Sequence, residues 1–300
     1  PQALHYERPV DTAPQEKDIG GGYKTPEVQR PLPRGAWLLA VDFALLCAAM
    51  GLAVWIVLKR RSRRALFALS LVSLAYFGFY REGCVCPVGS LQNVAVALTD
   101  PGYRIPILVT ATFFLPLLAA ALFGRAFCGG VCPLGAIQEF VLVKAAKMPR
   151  RLDDTLGLLK YVYLGAAVWF AVLPAESRDF VVCRFDPFVG IFRRHGFAHM
   201  YAVGGAFLLA GMFIGRPYCR WLCPYGVLLG WCARLAPKGV TITPNRELDC
   251  GLCQDACPYG AIEKYRAVAS SCLYCARCYG SCPVHRAEKG LIAVEEIGRG

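Results

Sequence analysis

Five apolar runs separated by polar segments divide the chain between residues 36 and 214. They cover residues 36–58, 65–80, 105–123, 156–173 and 197–214. A membrane-crossing helix needs roughly 20 apolar residues, and four runs fall within its range of about 17–25. The run at 65–80 reaches only about 24 Å at about 1.5 Å per residue. It ends in aromatic side chains that favour a membrane interface, with a buried or re-entrant helix as the alternative.

Polar segments lie on both sides of these runs. Residues 1–35 are rich in Pro and Gly, and we expect an extracytoplasmic arm or a linker from an upstream domain. Residues 36–237 are expected to form the transmembrane domain, and residues 238–300 a separate water-facing domain. Hydrophobic residues make up 56% of the chain and charged residues 18%, against about 45–50% and about 25% in soluble proteins. This composition excludes a disordered chain, a coiled coil and a soluble all-β fold.

The placement of basic residues predicts the orientation. Lys59, Arg60, Arg61, Arg63 and Arg64 separate the first two runs, and more Lys and Arg follow the third and fifth runs. Cytoplasmic loops carry the excess of Lys and Arg, so the C-terminal domain is expected in the cytoplasm and the arm outside. The protein is then a multi-pass protein of a bacterial inner membrane. Topology thus accounts for the net charge of +12, and we expect no nucleic-acid partner.

An internal repeat links the helices to the cysteines. Residues 123–135 (the first turn) and 214–226 (the second turn) are identical at six of thirteen positions, and both follow an apolar run. Upstream, residues 83–89 correspond to residues 182–190. Parallel repeats of this kind are related by an axis along the membrane normal. We therefore expect an all-α polytopic membrane domain with about five transmembrane helices, and one cysteine group on each side of the membrane.

The strongest motif lies near the C-terminus. Cys272, Cys275, Cys278 and Cys282 form C-x2-C-x2-C-x3-C-P, and Cys250, Cys253 and Cys257 form a shorter run before it. This spacing is the bacterial ferredoxin pattern, in which the last Cys ligates the other cluster. Zinc is the alternative, but its sites seldom use the x3-C-P ending. The domain is therefore predicted to be a small α+β ferredoxin-like fold.

Cross-ligation sorts these cysteines into two sites. Cys257, Cys272, Cys275 and Cys278 (the C-terminal group) would hold one [4Fe–4S] cluster. Cys250, Cys253 and Cys282 would hold a second, for which Glu247 stands at the expected fourth position. That second cluster is either a [3Fe–4S] cluster, or takes an oxygen ligand from Glu247 or Asp249, or takes another thiolate such as Cys232.

The repeated turns supply four more thiolates. Cys128 and Cys132 in the first turn, and Cys219 and Cys223 in the second, each form C-x3-C-P. One turn cannot complete a cluster, so we expect these four (the inner group) to share a [4Fe–4S] cluster at the cytoplasmic membrane edge. Arg125 and Arg216 would balance the thiolate charge. Burial as ordinary small apolar residues is the alternative.

A third set falls in the opposite loops. Cys84, Cys86 and Cys183, with Asp186 in the equivalent turn (the outer group), could hold a further cluster. A disulfide from Cys183 to Cys84 or Cys86 is equally compatible, because that side is oxidising. Cys47 is interpreted as packing. His195 and His199 could contact haem or quinone, although ordinary side chains are the simpler interpretation.

Paired C-x3-C-P turns after apolar helices, followed by ferredoxin runs, resemble membrane polyferredoxins of the NosR/NapH type. The resemblance covers roughly residues 65–285. It implies membrane-bound electron transfer to or from an extracytoplasmic redox partner, often through a flavin-bearing domain that would precede residues 1–35. Glu247 in place of a ferredoxin Cys, and the outer group, depart from that pattern.

The sequence therefore predicts a membrane-bound iron–sulfur protein that passes electrons through a chain of clusters. It is expected to be a non-catalytic subunit of an oxidoreductase system, because no general base, nucleophile or nucleotide-binding loop is evident. One alternative is a quinol dehydrogenase subunit using Asp179, Asp186, His195 and His199. The other is a redox-sensing or assembly factor.

Overall fold

The computed structural model describes residues 35–83, 86–146, 148–174, 180, 186–194, 196, 198–237, 240, 251–263 and 266–283. It is mostly helical, with one small sheet in the described part, which agrees with the predicted helical membrane domain. The helices are α1 (Ala36–Trp55), α2 (Arg63–Ser73), α3 (Pro87–Thr99), α4 (Ile107–Phe123), α5 (Ala126–Gly130), α6 (Pro133–Val141), α7 (Arg150–Gly157), α8 (Leu159–Val172), α9 (Pro187–Arg193), α10 (Ala198–Phe213), α11 (Pro217–Trp221), α12 (Pro224–Ala233), α13 (Leu252–Asp255) and α14 (Arg277–Ser281).

The first two helices form an antiparallel pair. α1 continues as a π-helical segment, Ile56–Arg60, and ends where Arg61 takes a left-handed conformation with φ of 50°. Ser62 then caps α2, because its hydroxyl accepts a hydrogen bond from the Ala65 amide at 3.4 Å. α2 also ends in a π-helical segment, Leu74–Tyr80. The short second apolar run is therefore one continuous helical segment.

Four helices begin at a proline that follows a predicted ligand. Pro87, Pro133, Pro187 and Pro224 start α3, α6, α9 and α12, and the residues before them are Cys86, Cys132, Asp186 and Cys223. Proline suits the first helical position because its missing N–H would be unpaired there anyway. The sequence analysis treated these segments as turns and did not predict the helices that follow.

The two copies of the repeat exchange packing partners. α12 of the second copy packs on α4 of the first, and α6 of the first packs on α10 of the second. α3 packs on both α4 and α8. A single hydrophobic core joins both copies and includes Leu66, Phe113, Phe188, Tyr218 and Tyr225, all buried. This exchange brings the first and second turns face to face.

Two helical segments are long and apolar enough to cross a membrane, Trp37–Arg60 and Arg151–Val172. The bent pair Pro187–Arg193 and Ala198–Phe213 would make a third span, and Ile107–Phe123 is a shorter apolar helix. Large apolar side chains face outward, for example Trp37 and Trp169, each 69% exposed. An exposed apolar surface of this extent is typical of a lipid-facing protein.

A buried ion pair joins α1 to the end of α2. Arg81 contacts Asp42 at 2.8 Å, and both side chains are largely buried. The Tyr76 hydroxyl donates to the other carboxylate oxygen of Asp42, also at 2.8 Å. Asp42 therefore lies within an apolar helix but is paired on both oxygens.

The described C-terminal region covers residues 251–263 and 266–283. It contains α13, α14 and an antiparallel pair, β1 (Ile262–Glu263) and β2 (Arg266–Ala267), in which Ile262 pairs with Ala267. This region lies against the basic end of α1 and α2, where the Arg61 guanidinium stacks over the Tyr279 ring at 5.6 Å. The Tyr274 hydroxyl donates to the Phe123 carbonyl at 2.6 Å.

Candidate metal centre

The structure brings the four cysteines of the inner group together. Cys128 lies in α5 and Cys219 in α11, while Cys132 and Cys223 precede α6 and α12. Burial raises the pKa of the Cys132 thiol well above its ordinary value, and the charges of Cys219, Cys128 and Cys223 raise it further. Burial likewise raises the pKa of Cys219 to about 11. Four half-buried thiols from two repeated turns thus share one site.

Backbone amides point at the sulfurs. The Gly226 amide donates to Cys223 Sγ at 3.3 Å, and the Gly135 amide makes the corresponding bond to Cys132. The Gln138 side-chain amide donates to Cys219 Sγ, also at 3.3 Å. Hydrogen bonds to the sulfurs stabilise negative charge on a thiolate and are one of the features that set cluster potentials.

The arginine of each turn lies against the glycine of the other turn. A Cβ on Gly135 of the first turn would lie 3.1 Å from Arg216 Nη1 of the second, and a Cβ on Gly226 would lie 3.1 Å from Arg125 Nη2 of the first. Each glycine therefore leaves room for the guanidinium of the other copy. Arg125 Nη2 lies 3.9 Å from Cys128 Sγ, which agrees with the expected charge compensation.

The C-terminal group is also assembled. Burial raises the pKa of Cys278, and the charges of Cys275, Cys272 and Cys257 raise it further. Amides of Tyr274 and Arg277 donate to Cys272 and Cys275. Tyr274 and Ala276 take φ values of 56° and 59° around Cys275. Such left-handed residues in a turn direct successive amides inward and create an anion-binding concavity.

These two groups are in contact with each other. Cys128 and Cys219 pack against the same small apolar cluster, formed by Tyr259, Ala261 and Leu273, as Cys257, Cys272 and Cys275 do. A Cβ on Gly129 would lie 2.5 Å from the Tyr274 carbonyl oxygen. The backbone beside Cys128 therefore touches the backbone between Cys272 and Cys275, which puts the two sites next to each other.

A buried carboxylate lies at this junction. Glu139 in α6 accepts from Arg63 at 2.9 Å, from Arg277 at 2.8 Å, from Arg216 at 3.1 Å and from the Tyr259 hydroxyl at 3.0 Å. Burial alone would raise its pKa, but the charges of Arg216, Arg277 and Arg63 outweigh burial and lower the pKa to about 2. Glu139 is therefore ionised at neutral pH.

The outer group is described only in part, because Cys84 and Cys183 lie outside the described residues. Asp186 is buried, and its oxygens accept from the Phe188 amide at 2.9 Å and from the Tyr218 hydroxyl at 2.5 Å. It thus caps α9 and holds Tyr218, which is adjacent to Cys219. These contacts give Asp186 a structural role that the sequence analysis did not predict.

The two described members of the outer group lie near the inner group. One cavity of about 190 Å³ is lined by Cys86 and Asp186 and also by Cys132 of the inner group. Cys86-Pro87 and Asp186-Pro187 start helices, α3 and α9, whose residues Val88 and Phe188 are buried in the common core.

The remaining predicted ligands are divided between the described residues and the rest of the chain. Cys250, Glu247 and Asp249 lie outside the described residues, as does His195. Cys253 and Cys282 are buried in the core. Cys232 lies on α12 and Cys47 on α1, both packed helices, and His199 is exposed on α10.

The donor sets fit a [4Fe–4S] cluster. Each of the two assembled groups offers four thiols, and the Nε atom of Arg125 is buried without a hydrogen-bond partner among the described residues. Within the described part of the chain, no three His, Cys, Asp or Glu side chains are close enough for a single metal ion. A cluster needs wider spacing than a single ion, because iron and sulfide lie between its thiolates.

Gln138, Glu139 and Gly129 are among the site residues that the sequence analysis missed. A comparison of the two copies could have found them. Gln138 and Glu139 correspond to Leu229 and Gly230, and Gly129 corresponds to Arg220. Polar residues in one copy of a buried repeat, without equivalents in the other, indicate a contact that only that copy makes.

Comparison with known proteins agrees with this geometry. The 4Fe-4S binding domain family matches residues 103–150 and 198–243, which contain the first and second turns. The putative electron transport protein YccM of Escherichia coli is 33% identical over 146 residues, covering 46% of this chain and 41% of that protein. Protein NirI of Paracoccus denitrificans is 30% identical over 154 residues, covering 47% of this chain and 22% of that protein.

The chain matches less than half the length of each of these relatives. No solved structure is significantly similar. Both matched segments carry the C-x3-C-P turns, so the family match and the assembled inner group identify the same residues. Residues 103–150 and 198–243 are thus similar to the 4Fe-4S binding domain family, which supports the resemblance to polyferredoxins of the NosR/NapH type.

Proposed function

We propose that this chain is a membrane-bound electron-transfer protein in which the inner group and the C-terminal group form consecutive redox sites. Bound [4Fe–4S] clusters would supply the one-electron chemistry. The residues of the chain provide the thiolates, exclude water and supply hydrogen bonds and charge around the sulfurs. The observation that carries this proposal is the contact between the two groups through Gly129, Leu273 and Tyr274.

The contact matters because each group alone would be an isolated cluster site. Cys128 and Cys272 share the same apolar cluster, and the Gly129 backbone leaves no space for a side chain between the two turns. The two sites are therefore joined by direct packing. An electron on one site has a short route to the other through these packed residues.

We assign the ligands as the sequence analysis predicted them. Cys128, Cys132, Cys219 and Cys223 would hold the inner cluster. Cys257, Cys272, Cys275 and Cys278 would hold the C-terminal cluster. Cys250, Cys253 and Cys282 would hold a second cluster in a ferredoxin-like domain of residues 238–300. This cluster would be [3Fe–4S], or would take a further ligand from Glu247, Asp249 or another Cys such as Cys232.

We further propose that residues 36–237 form a transmembrane domain with about five spans and that the C-terminus is cytoplasmic in a bacterial inner membrane. The junction of the two groups lies at the basic end of α1 and α2, where Arg63 donates to the Cys275 carbonyl at 3.0 Å. Basic segments of this kind stay in the cytoplasm. Both redox sites would then lie on the cytoplasmic side.

The outer group would extend the path toward an extracytoplasmic redox protein or flavin domain. The cavity shared by Cys86, Asp186 and Cys132 supports this extension, because it connects the outer group with the inner group. Cys84 and Cys183 would complete the outer site.

The test is cysteine substitution with EPR and iron analysis of the purified full chain. Cys132→Ser and Cys223→Ser should each remove the same EPR signal and the same roughly four irons, because a cuboidal cluster takes ligands from both turns. Cys47→Ser on α1 is the matched control and should retain all iron. Loss of different signals in the two variants would contradict the shared inner cluster.

A further inference from the structure

Glu139 and its three arginines form a charged group at the junction, which we call the arginine node. Arg63 comes from α2, Arg216 precedes α11, and Arg277 belongs to α14 of the C-terminal region. One carboxylate oxygen of Glu139 binds Arg63 and Arg277, and the other binds Arg216 and Tyr259. A single side chain therefore orients three guanidinium groups from three parts of the fold.

Each side of the node contacts a predicted cluster ligand. Arg216 donates to the Cys128 carbonyl at 2.5 Å, which belongs to the inner group. Arg63 donates to the Cys275 carbonyl at 3.0 Å, which belongs to the C-terminal group. Arg277 lies in the chain between Cys275 and Cys278. Glu139 is thus the shared anchor of positive charge directed at both sites.

The node carries excess positive charge. Three guanidinium groups and one carboxylate leave a net charge of +2. Arg216 and Glu139 are almost fully buried, with 1% and 3% of their side chains exposed. Buried charge acts strongly over short distances because the protein interior screens it weakly. The excess charge belongs to Arg63 and Arg277, which are 32% and 23% exposed and therefore partly screened by solvent. Thiolate-ligated clusters on both sides would be favourable anionic neighbours for this charge.

We propose that Glu139 is a positioning residue that sets the reduction potentials of the inner and C-terminal clusters together. This inference rests on the proposed function. Reduction adds an electron to a cluster, so adjacent positive charge favours the reduced form and raises the potential. Glu139 orients the three arginines. Its own negative charge offsets one of their positive charges and so limits the rise in potential.

The first test is Glu139→Gln in the full chain, with both EPR signals titrated against potential. The substitution keeps the size of the side chain and removes one negative charge. We expect both midpoint potentials to rise, with at least about a tenfold higher ratio of reduced to oxidised cluster at a given potential, which is about 59 mV for one electron. Glu139→Asp should stay nearer the wild type, because it retains the charge.

Arg63→Gln is the opposite test. Arg63 is 32% exposed, and besides Glu139 it binds the Cys275 carbonyl of the C-terminal group. Its loss should lower the potential of the C-terminal cluster and leave the inner cluster nearly unchanged. Because Arg63 is partly exposed, this variant should fold, and it decides the question if Glu139→Gln does not. Glu263→Gln makes the same charge change at an exposed strand residue and should leave both potentials nearly unchanged.

Two failures are distinguishable. If the wild-type chain lacks the two EPR signals, or Cys132→Ser and Cys223→Ser lose different ones, the proposed function is wrong. If both signals persist in Glu139→Gln and Arg63→Gln with unchanged potentials, the clusters exist and Glu139 serves only to attach the C-terminal region. That second result overturns this inference alone.

Discussion

The two copies of the repeat have the same turns but different surroundings. Both place a Cys before a Pro that starts a helix, and in both an arginine packs against the glycine of the other copy. They differ at the positions that face the C-terminal region. The first copy has Gly129 and Glu139 there, and the second copy has Arg220 and Gly230.

This difference teaches what each part of the repeat does. The shared residues assemble the inner group, which needs an equal contribution from each copy. The unshared residues make the C-terminal region attach mainly at the first copy, where Gly129 allows backbone contact and Glu139 binds Tyr259 and Arg277. The second copy also contacts this region, for example from Arg220 to the Pro258 carbonyl at 3.3 Å.

The largest expected effect comes from adding a side chain where the backbone of the first copy touches the C-terminal region. Gly129→Ala places a Cβ 2.5 Å from the Tyr274 carbonyl oxygen and 3.1 Å from that of Leu273. Overpacking of this kind costs about 1–3 kcal/mol, and here it separates the C-terminal region from α5. Limited proteolysis should release that region faster, and the melting temperature should fall.

Gly205→Ala on α10 is the control, because its Cβ would meet nothing within 4 Å. If Gly129→Ala and Gly205→Ala are cleaved at the same rate, the two regions are not in contact in solution.

A second prediction concerns a substitution that gives the first copy a residue of the second. Gln138→Leu introduces the residue type of Leu229 and removes the acceptor of the Tyr218 amide, which lies 3.0 Å away. A buried amide left unpaired costs about 1–3 kcal/mol. The variant also loses the donor to Cys219 Sγ, so the potential of the inner cluster should fall.

Redox titration and thermal unfolding measure the two effects. Phe140→Leu, at a 61% exposed neighbour on the same helix, should change neither property. A Gln138→Leu protein with wild-type stability and potential would show that the Gln138 contacts do not form.

A smaller difference in stability is expected between Ala substitutions at the two glycines that lie against these arginines, Gly135 and Gly226. A Cβ on Gly135 would lie 2.8 Å from the Cys128 carbonyl oxygen, whereas the first atom met from Gly226 is the end of the flexible Arg125 side chain at 3.1 Å. Ala in place of Gly inside a helix gains up to about 1 kcal/mol, which can offset a mild contact. Gly135→Ala should therefore lower the stability by about 1–2 kcal/mol, and Gly226→Ala should be close to neutral. Equal melting temperatures for the two variants would argue against the asymmetry.

The smallest effect concerns pH. The folded chain lowers the Glu139 pKa to about 2, from about 4.3 in an unfolded chain. A depressed pKa means that the contribution of Glu139 to stability is complete above about pH 4.3 and is lost as the pH falls toward 2. Between pH 4.5 and 3 only part of it disappears. The stability of the wild type minus that of Glu139→Gln should decrease in this interval, and a difference independent of pH would contradict the pairing.

The sequence predicted the elements whose signals are local. Apolar runs marked the main helices, and cysteine spacing marked the inner and C-terminal groups before any contact was known. The helices that begin at Pro87, Pro133, Pro187 and Pro224 were missed because each follows a ligand motif that resembles a turn. The sequence alone does not distinguish a proline at the first helical position from a proline in a loop.

The charged junction was missed for a different reason. Arg63 and Glu139 are 76 residues apart, and Glu139 and Arg277 are 138 apart. No local sequence pattern predicts such contacts, because they depend on how α2, α6 and α14 pack together. The cavity shared by Cys86, Asp186 and Cys132 was not predicted for the same reason, since it depends on how α3 and α9 pack in the common core.

The Asp42–Arg81 pair has a consequence for how the protein is made. On the proposed topology, Asp42 enters the membrane with α1 before Arg81 has left the ribosome. An unpaired Asp or Arg costs about 2.5–3.5 kcal/mol at the centre of an inserting helix, and Asp42 near the start of α1 and Arg81 after the end of α2 would carry a smaller part of this cost. The 2.8 Å pairing removes most of this cost only when both helices are present. We therefore expect the translocon to release α1 and α2 as one hairpin, with Asp42→Asn allowing α1 to enter alone in a glycosylation-mapping assay.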